Sequence, residues 1–420
     1  MSRSRAGSCA PAIAAVLLAS VLAVSPMPAA EASQTGLPAP DAAVPTTDRW
    51  AGTAAPAKTI APGVTYEAIT DDVSDLYAYV LRFDPYAGAS LVAVPAGVAL
   101  PAASATVPML KSVHAVAGIN GDFLTYSRRS PVRAFATEGD LLQTRVKGTT
   151  DKLLGISSPG VVPHVGTTEV QIVLDDPTHL AHWPIDSWNP GGIHDSSLGS
   201  DEVAGYTSYG GKHVIPPGEA CSARLTSPSA RRWADAAMSG ITRDYTVGKV
   251  VCAKSQMPLS GGTVFSALRS GSMAAEIQAL VPGTTVSVTW SLEGWGGITG
   301  AIGGNPLILE GGQNTVDPRC HTYLCDPNAR AGVGADAKGT IIMIVVDYGR
   351  GASGISLYDF AELFADLGAV NALNLDGDGS STMYVNGKTV NRPGDPGRRV
   401  SSALAILPGP DPRLHIGPPA

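Results

Sequence analysis

Two apolar runs, Thr340–Val346 and Ala369–Leu375, stand on either side of one helical period, and they constrain the fold more than any other feature. A run that is apolar at nearly every position belongs to a strand buried on both faces. Between the runs, Leu357, Phe360, Ala361, Phe364 and Leu367 recur at helical spacing. Ser356 is a natural N-cap, Asp359 lies in the first turn near the positive end of the helix dipole, and Gly368 supplies the stop. Strand, helix and strand predict a β-α-β unit with parallel strands and a right-handed crossover. The second strand then delivers Asp376-Gly377-Asp378-Gly379-Ser380-Ser381-Thr382 at its carboxyl end, where α/β sheets place ligands.

That loop holds two carboxylates, two glycines and three hydroxyls between apolar flanks. Glycines that turn the chain and hydroxyls that satisfy it give one explanation. The other is a site, with backbone N–H groups and hydroxyls aimed at an anion and a carboxylate placed for chemistry. After the loop, Thr382–Val385, Asn386-Gly387 and Lys388–Val390 read as a tight hairpin. A strand following the loop removes the nucleotide-binding loops, which need a helix N-terminus, and the serine nucleophile elbow. Asp376, Asp378 and Ser380 have the spacing of a calcium loop without its later glutamate, so calcium stays a possible ligand and no cofactor is required.

Elsewhere the chain has few charges, 15% of residues, against 48 Gly and 33 Pro, which favours many short strands over a helical bundle. The fold class expected is α+β, a mixed β-sheet core with the C-terminal β-α-β unit and hairpin and many short strands before it. Leu76–Phe83 and Ser90–Val94 read as a hairpin about Asp84–Gly88, and Ala134–Thr137 with Leu141–Thr144 as another. Ala115–Ile119 is a strand ending in Asn120-Gly121-Asp122, which is either a turn or a polar strand end carrying a ligand or base. In the central region a helix is expected over Ala274–Leu280. His179, His182 and His194 lack metal-site spacing and read as surface or hydrogen-bonded residues. Trp183, Trp188, Trp290 and Trp295 read as core or cleft wall. Arg330, set among small residues, either points to a cleft or is an ordinary surface arginine.

Residues 1–32 have a basic start, a short apolar stretch and an A-x-A cleavage site, as in a secretory signal peptide. Residues 33–62, rich in Ala, Pro and Thr, read as a flexible leader. No later stretch of about 20 apolar residues follows, so no membrane span is expected and the mature protein is expected to be secreted. With Cys9 in the signal segment, Cys221, Cys252, Cys320 and Cys325 remain. An even number in an exported chain suggests two disulfides, paired by proximity as Cys221–Cys252 and Cys320–Cys325, over a four-cysteine zinc site. The net charge of −7 and the lack of a basic run argue against nucleic acid.

Asn120-Gly-Asp-Phe123, Ala329-Arg-Ala-Gly-Val-Gly334, Asn371–Thr382, Val385-Asn-Gly387 and Arg399-Val-Ser-Ser-Ala-Leu404 occur in this order. Together they resemble the phosphodiester glycosidase family, best over 300–408 and more weakly over 63–410, leaving 411–420 as a tail. Two positions depart from the family pattern: Asp378, where glycine is usual, and Ala331, where threonine is usual. The resemblance implies hydrolysis of a sugar-1-phosphodiester to free sugar and a phosphate monoester. It casts Asp376 as base or nucleophile, with Asp122 as second candidate. Arg330, Gly377, Gly379, Ser380, Ser381 and Thr382 would cradle the phosphate, with Arg399 supporting the anion or neutralising Asp376. Asn120, Gly121 and Asn374 would bind hydroxyls or orient carboxylates. The expected partner is a glycan or sugar-phosphate substrate. The alternative is a non-catalytic module that binds envelope glycans or anionic polymers.

Overall fold

The alternation of side chains along Ile341–Val346 organises the molecule. All six residues are buried, with Ile341, Met343 and Val345 in one apolar core and Ile342, Ile344 and Val346 in another. A sheet buried on both faces results, as the apolar run predicts. The helix Leu357–Asp366 covers the second core with Leu357, Phe360, Ala361, Leu363 and Phe364. Its N-cap is Ser356, whose hydroxyl accepts from the Asp359 amide, and Gly368 follows its end at φ 92°.

The computed structural model describes residues 53–419 except 72, 126–128, 145–149, 191–197, 216–218 and 350. The signal segment, most of the leader and His194 therefore lie outside the described residues. The described end of the leader is already strand: Thr53–Ala54 and Lys58–Ala61 both pair with Val64–Asp71, and Ile60 and Ala61 pack against the core.

Within the first nine-stranded sheet, Val64–Asp71, Leu76–Phe83, Ile341–Val346, Arg330–Asp336, Ala369–Asn374 and Leu307–Glu310 lie side by side. Every neighbour in that series is antiparallel. The strands before and after the helix run in one direction but do not touch, because Arg330–Asp336 lies between them. That strand is sequence-silent, since its residues are mostly small. Packing explains them: a side chain on Gly332 would meet Phe360 at 2.8 Å, so the helix can close on the sheet only over glycine.

A five-stranded sheet packs alongside, in the order Lys388–Thr389, Met383–Val385, Ala117–Asn120, Ser402–Leu407, Ser90–Pro95. The hairpin at Asn386-Gly387 forms, with φ 45° and 88°. The hairpin expected between Leu76–Phe83 and Ser90–Val94 does not. Leu76–Phe83 already has Val64–Asp71 on one side and Ile341–Val346 on the other, so no edge is free. The chain after Asp84 crosses instead to the other sheet, where Ser90–Pro95 pairs with Ser402–Leu407. The Phe135–Thr137 and Asp140–Gln143 hairpin forms within a second five-stranded sheet.

A further nine-stranded sheet fills the central region and carries the core around Trp183, Trp188 and Trp290. Helix Met273–Ala279 matches the expected segment, while Thr106–Ser112 is a short helix with no capping side chain to announce it. Cys221–Cys252 and Cys320–Cys325 are bonded, at S–S distances of 2.03 and 2.04 Å. The chain is mostly β, with three α-helices among the described residues. No described helix is long and apolar enough to cross a membrane.

Candidate functional site

The Asp376–Thr382 loop is the passage between the first sheet and its five-stranded neighbour, and both sheets hold it. From the first sheet, Ala331 and Ala329 carbonyls accept from the Leu375 and Asp378 amides, both at 2.9 Å. On the other side, Gly121 carbonyl accepts from the Asp376 amide at 3.1 Å. The Asn120 side chain works at both ends: Nδ2 donates to Asp376 O at 2.6 Å, and Oδ1 accepts from the Thr382 amide at 3.0 Å. Asn120 is fully buried, and both ends of its amide are used to hold the loop. Gly121 has no room for a side chain, since a Cβ would sit 2.5 Å from Ser402 Oγ.

The loop's exit is held by residues the sequence reading missed. Asp347 accepts at Oδ1 from Asn391 Nδ2 and at both oxygens from the Arg392 amide, all at 3.0 Å. Asn391 in turn donates to Ser381 O and accepts from the Met383 amide. Asp347 directly follows the apolar strand, the same signal that singled out Asp122. Beside this exit, Thr382, Asn391 and Arg392 border a pocket of about 300 Å³.

Asp376 is the half-buried carboxyl of the loop. Its Oδ2 accepts from Ser380 Oγ at 2.7 Å. Burial pushes its pKa up to about 6, against the lowering effects of Ser380 and Arg398, and Asp378 adds a smaller upward push. Asp378 is exposed and adopts φ 53°, the left-handed region that favours glycine. Its Oδ2 accepts from Tyr323 Oη at 3.3 Å and lies 3.9 Å from Arg398 Nη2. A side chain on Gly379 would sit 2.8 Å from Arg398 Nη2, so this glycine lets Arg398 lie over the loop.

Arg330 is buried, with Nη2 donating to Asp326 O at 2.6 Å and Nε to Ile355 O at 3.3 Å. Burial lowers its pKa to about 10, so it stays charged at neutral pH. Tyr323 and Asp326 both belong to the short segment around the Cys320–Cys325 bond, which thereby supports Arg330 from one side and reaches Asp378 from the other.

The remaining expected residues divide. Asn374 Oδ1 and Ser381 Oγ are buried and have no hydrogen-bond partner, while Asn374 Nδ2 donates to Asn305 O at 2.8 Å. Arg399 is turned away, exposed, with Nε donating to Ala103 O at 3.0 Å; its neighbour Arg398 is the arginine at the loop. Asp122 is fully buried, and its oxygens accept from the Phe123 and Arg133 amides at 2.7 and 2.8 Å. Burial raises its pKa to about 7, against the lowering effect of those two amides. Ser401 and Ser402 hold its backbone.

Asp376 is turned to Ser380 and Asp378 to Tyr323 and Arg398, and among the described residues no three His, Cys, Asp or Glu side chains cluster to hold a metal. His179 and His182 bind the carboxylates of Asp176 and Asp175.

Asp376 is thus a half-buried acid near the Arg398 guanidinium, on a loop bound to both sheets. Residues 234–407 match the phosphodiester glycosidase family. Over 68 residues the chain is 41% identical to the N-acetylglucosamine-1-phosphodiester alpha-N-acetylglucosaminidase of Bos taurus, a stretch covering 16% of this chain and 13% of that relative. A hypothetical protein from Synechocystis superposes with TM-score 0.61 at 19% identity, covering 82% of this chain and 62% of the other. A Burkholderia pseudomallei protein described as exported superposes with TM-score 0.55 at 25% identity, covering 81% and 74%. The phosphodiester glycosidase match takes in Arg330, Asp376, Ser381 and Arg398; Asn120 and Asp122 lie outside it.

Proposed function

We propose that this is an exported glycosidase that cleaves a sugar-1-phosphodiester into free sugar and a phosphate monoester. The observation that carries the reading is Asp376, a carboxyl with pKa about 6, on a loop over which the Arg398 guanidinium lies. The bond broken joins the anomeric carbon to the phosphate oxygen, whose electron pair leaves with the phosphate. Water supplies the new C–O bond and loses a proton. Phosphate is a good leaving group, so the main demands are an anion site and a carboxylate near the oxocarbenium-like centre. Ionised Asp376 serves as that carboxylate, as base or nucleophile. Arg398 stabilises the leaving phosphate directly, with buried Arg330 adding positive charge from beneath the surface. Gly377 and Gly379 let the loop backbone lie close against Ala329 and under Arg398. Asn120 and the Gly121 carbonyl hold the loop in place. Two disulfides and the expected signal segment support a place outside the cytoplasm.

The name of the Bos taurus relative suggests the first substrate to try, a methyl phosphodiester of N-acetylglucosamine 1-phosphate. Hydrolysis in ¹⁸O-water should place the label in the sugar and none in the phosphate. Label in the phosphate would mean P–O cleavage, and the glycosidase reading would fall. Binding without any turnover across a panel of such diesters would favour the non-catalytic module.

A further inference from the structure

The central nine-stranded sheet turns one face toward the Glu138-Gly139 turn, and a cavity of about 460 Å³ lies between them. Its size falls within the roughly 300–1,000 Å³ usual for small-molecule sites. Trp290 and Tyr245 stand on adjacent sheet strands, and Trp188 and Tyr209 close other sides. The Trp290 ring is fixed in place, because its indole N–H donates to Gly139 O at 3.0 Å. Trp188 packs on Phe265, with ring centroids 5.8 Å apart. Arg243 and Asp140 also line the cavity and pair at 2.9 Å. Arg231 also reaches Asp140, at 3.3 Å, from outside the lining; within the cavity the Arg243–Asp140 pair offers donors and acceptor oxygens with no net charge, which suits hydroxyl groups better than an ion.

Position matters as well. Pro95 lines the cavity and stands opposite Ser402, while Asn120 stands opposite Ala403. The cavity therefore borders the same sheet end as the Asn120 staple, two strands away, or about 10 Å at ~4.8 Å per strand. The chain leaving Pro95 passes Gly97 and Val98 on the cavity wall and reaches Ala103, whose carbonyl accepts from Arg399.

We propose that this cavity is a glycan subsite that binds an uncharged sugar unit, separate from the anion-binding loop. Aromatic faces match the C–H face of a pyranose, and the Arg243–Asp140 pair matches its hydroxyls. Binding here does not require hydrolysis at Asp376, so it goes beyond the proposed reaction.

Calorimetric titration of the whole protein with maltose, N,N′-diacetylchitobiose and glucose 1-phosphate tests this. At least one neutral disaccharide should bind saturably, and Asp376→Asn should bind it equally well. Ser208→Tyr, at an exposed position on the cavity wall, should weaken binding about tenfold or more with an unchanged melting temperature. Arg243→Met, which keeps the apolar stem, should do the same. The proposal is overturned if neither neutral sugar binds, if binding survives both cavity variants, or if Asp376→Asn abolishes it. Tighter cavity binding of glucose 1-phosphate than of the neutral sugars would also overturn it. A failed hydrolysis assay leaves all of these readouts intact.

Discussion

Asp376 and Asp378 lie two residues apart and have opposite environments. Asp376 is pushed toward neutrality by burial, whereas Asp378 is exposed, pairs with Arg398 and strains the backbone at φ 53°. Glycine at 378 removes both the strain and the pairing. Asp378→Gly should raise stability by up to about 1 kcal/mol in urea unfolding. It should also lower KM for an anionic substrate, because Arg398 loses one of its two carboxylate partners and keeps only Asp395, at 3.3 Å. Unchanged KM would mean that Arg398 does not meet the substrate. Asp122 makes a different prediction, through the pH dependence of stability. Its folded pKa is raised, so its contribution is full below its unfolded value near 3.8 and is lost as pH rises through about 7. From about pH 5 to about pH 8 the native protein should lose roughly 2–3 kcal/mol that Asp122→Asn does not lose. Equal losses in both would show that the amides of Phe123 and Arg133 outweigh burial.

At the level of elements, the helix Leu357–Asp366 and its two flanking strands were legible because each repeats one period without interruption. Arg330–Asp336 was not, because glycine and alanine carry no period, and its strand is defined by the neighbours it pairs with. The same holds for the failed hairpin after Asp84, which local turn residues favour and occupied sheet edges forbid. Around Arg330, the Cys320–Cys325 bond holds a short segment whose Asp326 carbonyl anchors the guanidinium. Replacing both cysteines by serine should raise KM for a sugar phosphodiester more than it lowers kcat, with melting shifted by only a few degrees. A fall in kcat with KM unchanged would instead place this segment in the chemical step.

For the molecule as a whole, the parts that were hard to read are those that pair over long distances. Val170–Asp176 lies beside Thr285–Leu292, and neither carries a local sign of the other. The candidate site was legible where its residues follow one another, from Asn374 to Thr382. It was not legible where it is assembled from Tyr323, Asp347, Asn391 and Arg398, each an ordinary loop or strand-end residue in sequence. The choice between Arg398 and Arg399 shows the limit best, since adjacent arginines differ only in which way the backbone turns them. Both sheets converge on one carboxyl, and the most direct measurement is the pH dependence of kcat/KM on the methyl phosphodiester of N-acetylglucosamine 1-phosphate. With Asp376 ionised in the active form, the native rate should rise through about pH 6 to a plateau, and Asp376→Asn should lose about 10²- to 10⁴-fold and the inflection with it. Native turnover and an unchanged profile in Asp376→Asn would contradict a catalytic Asp376.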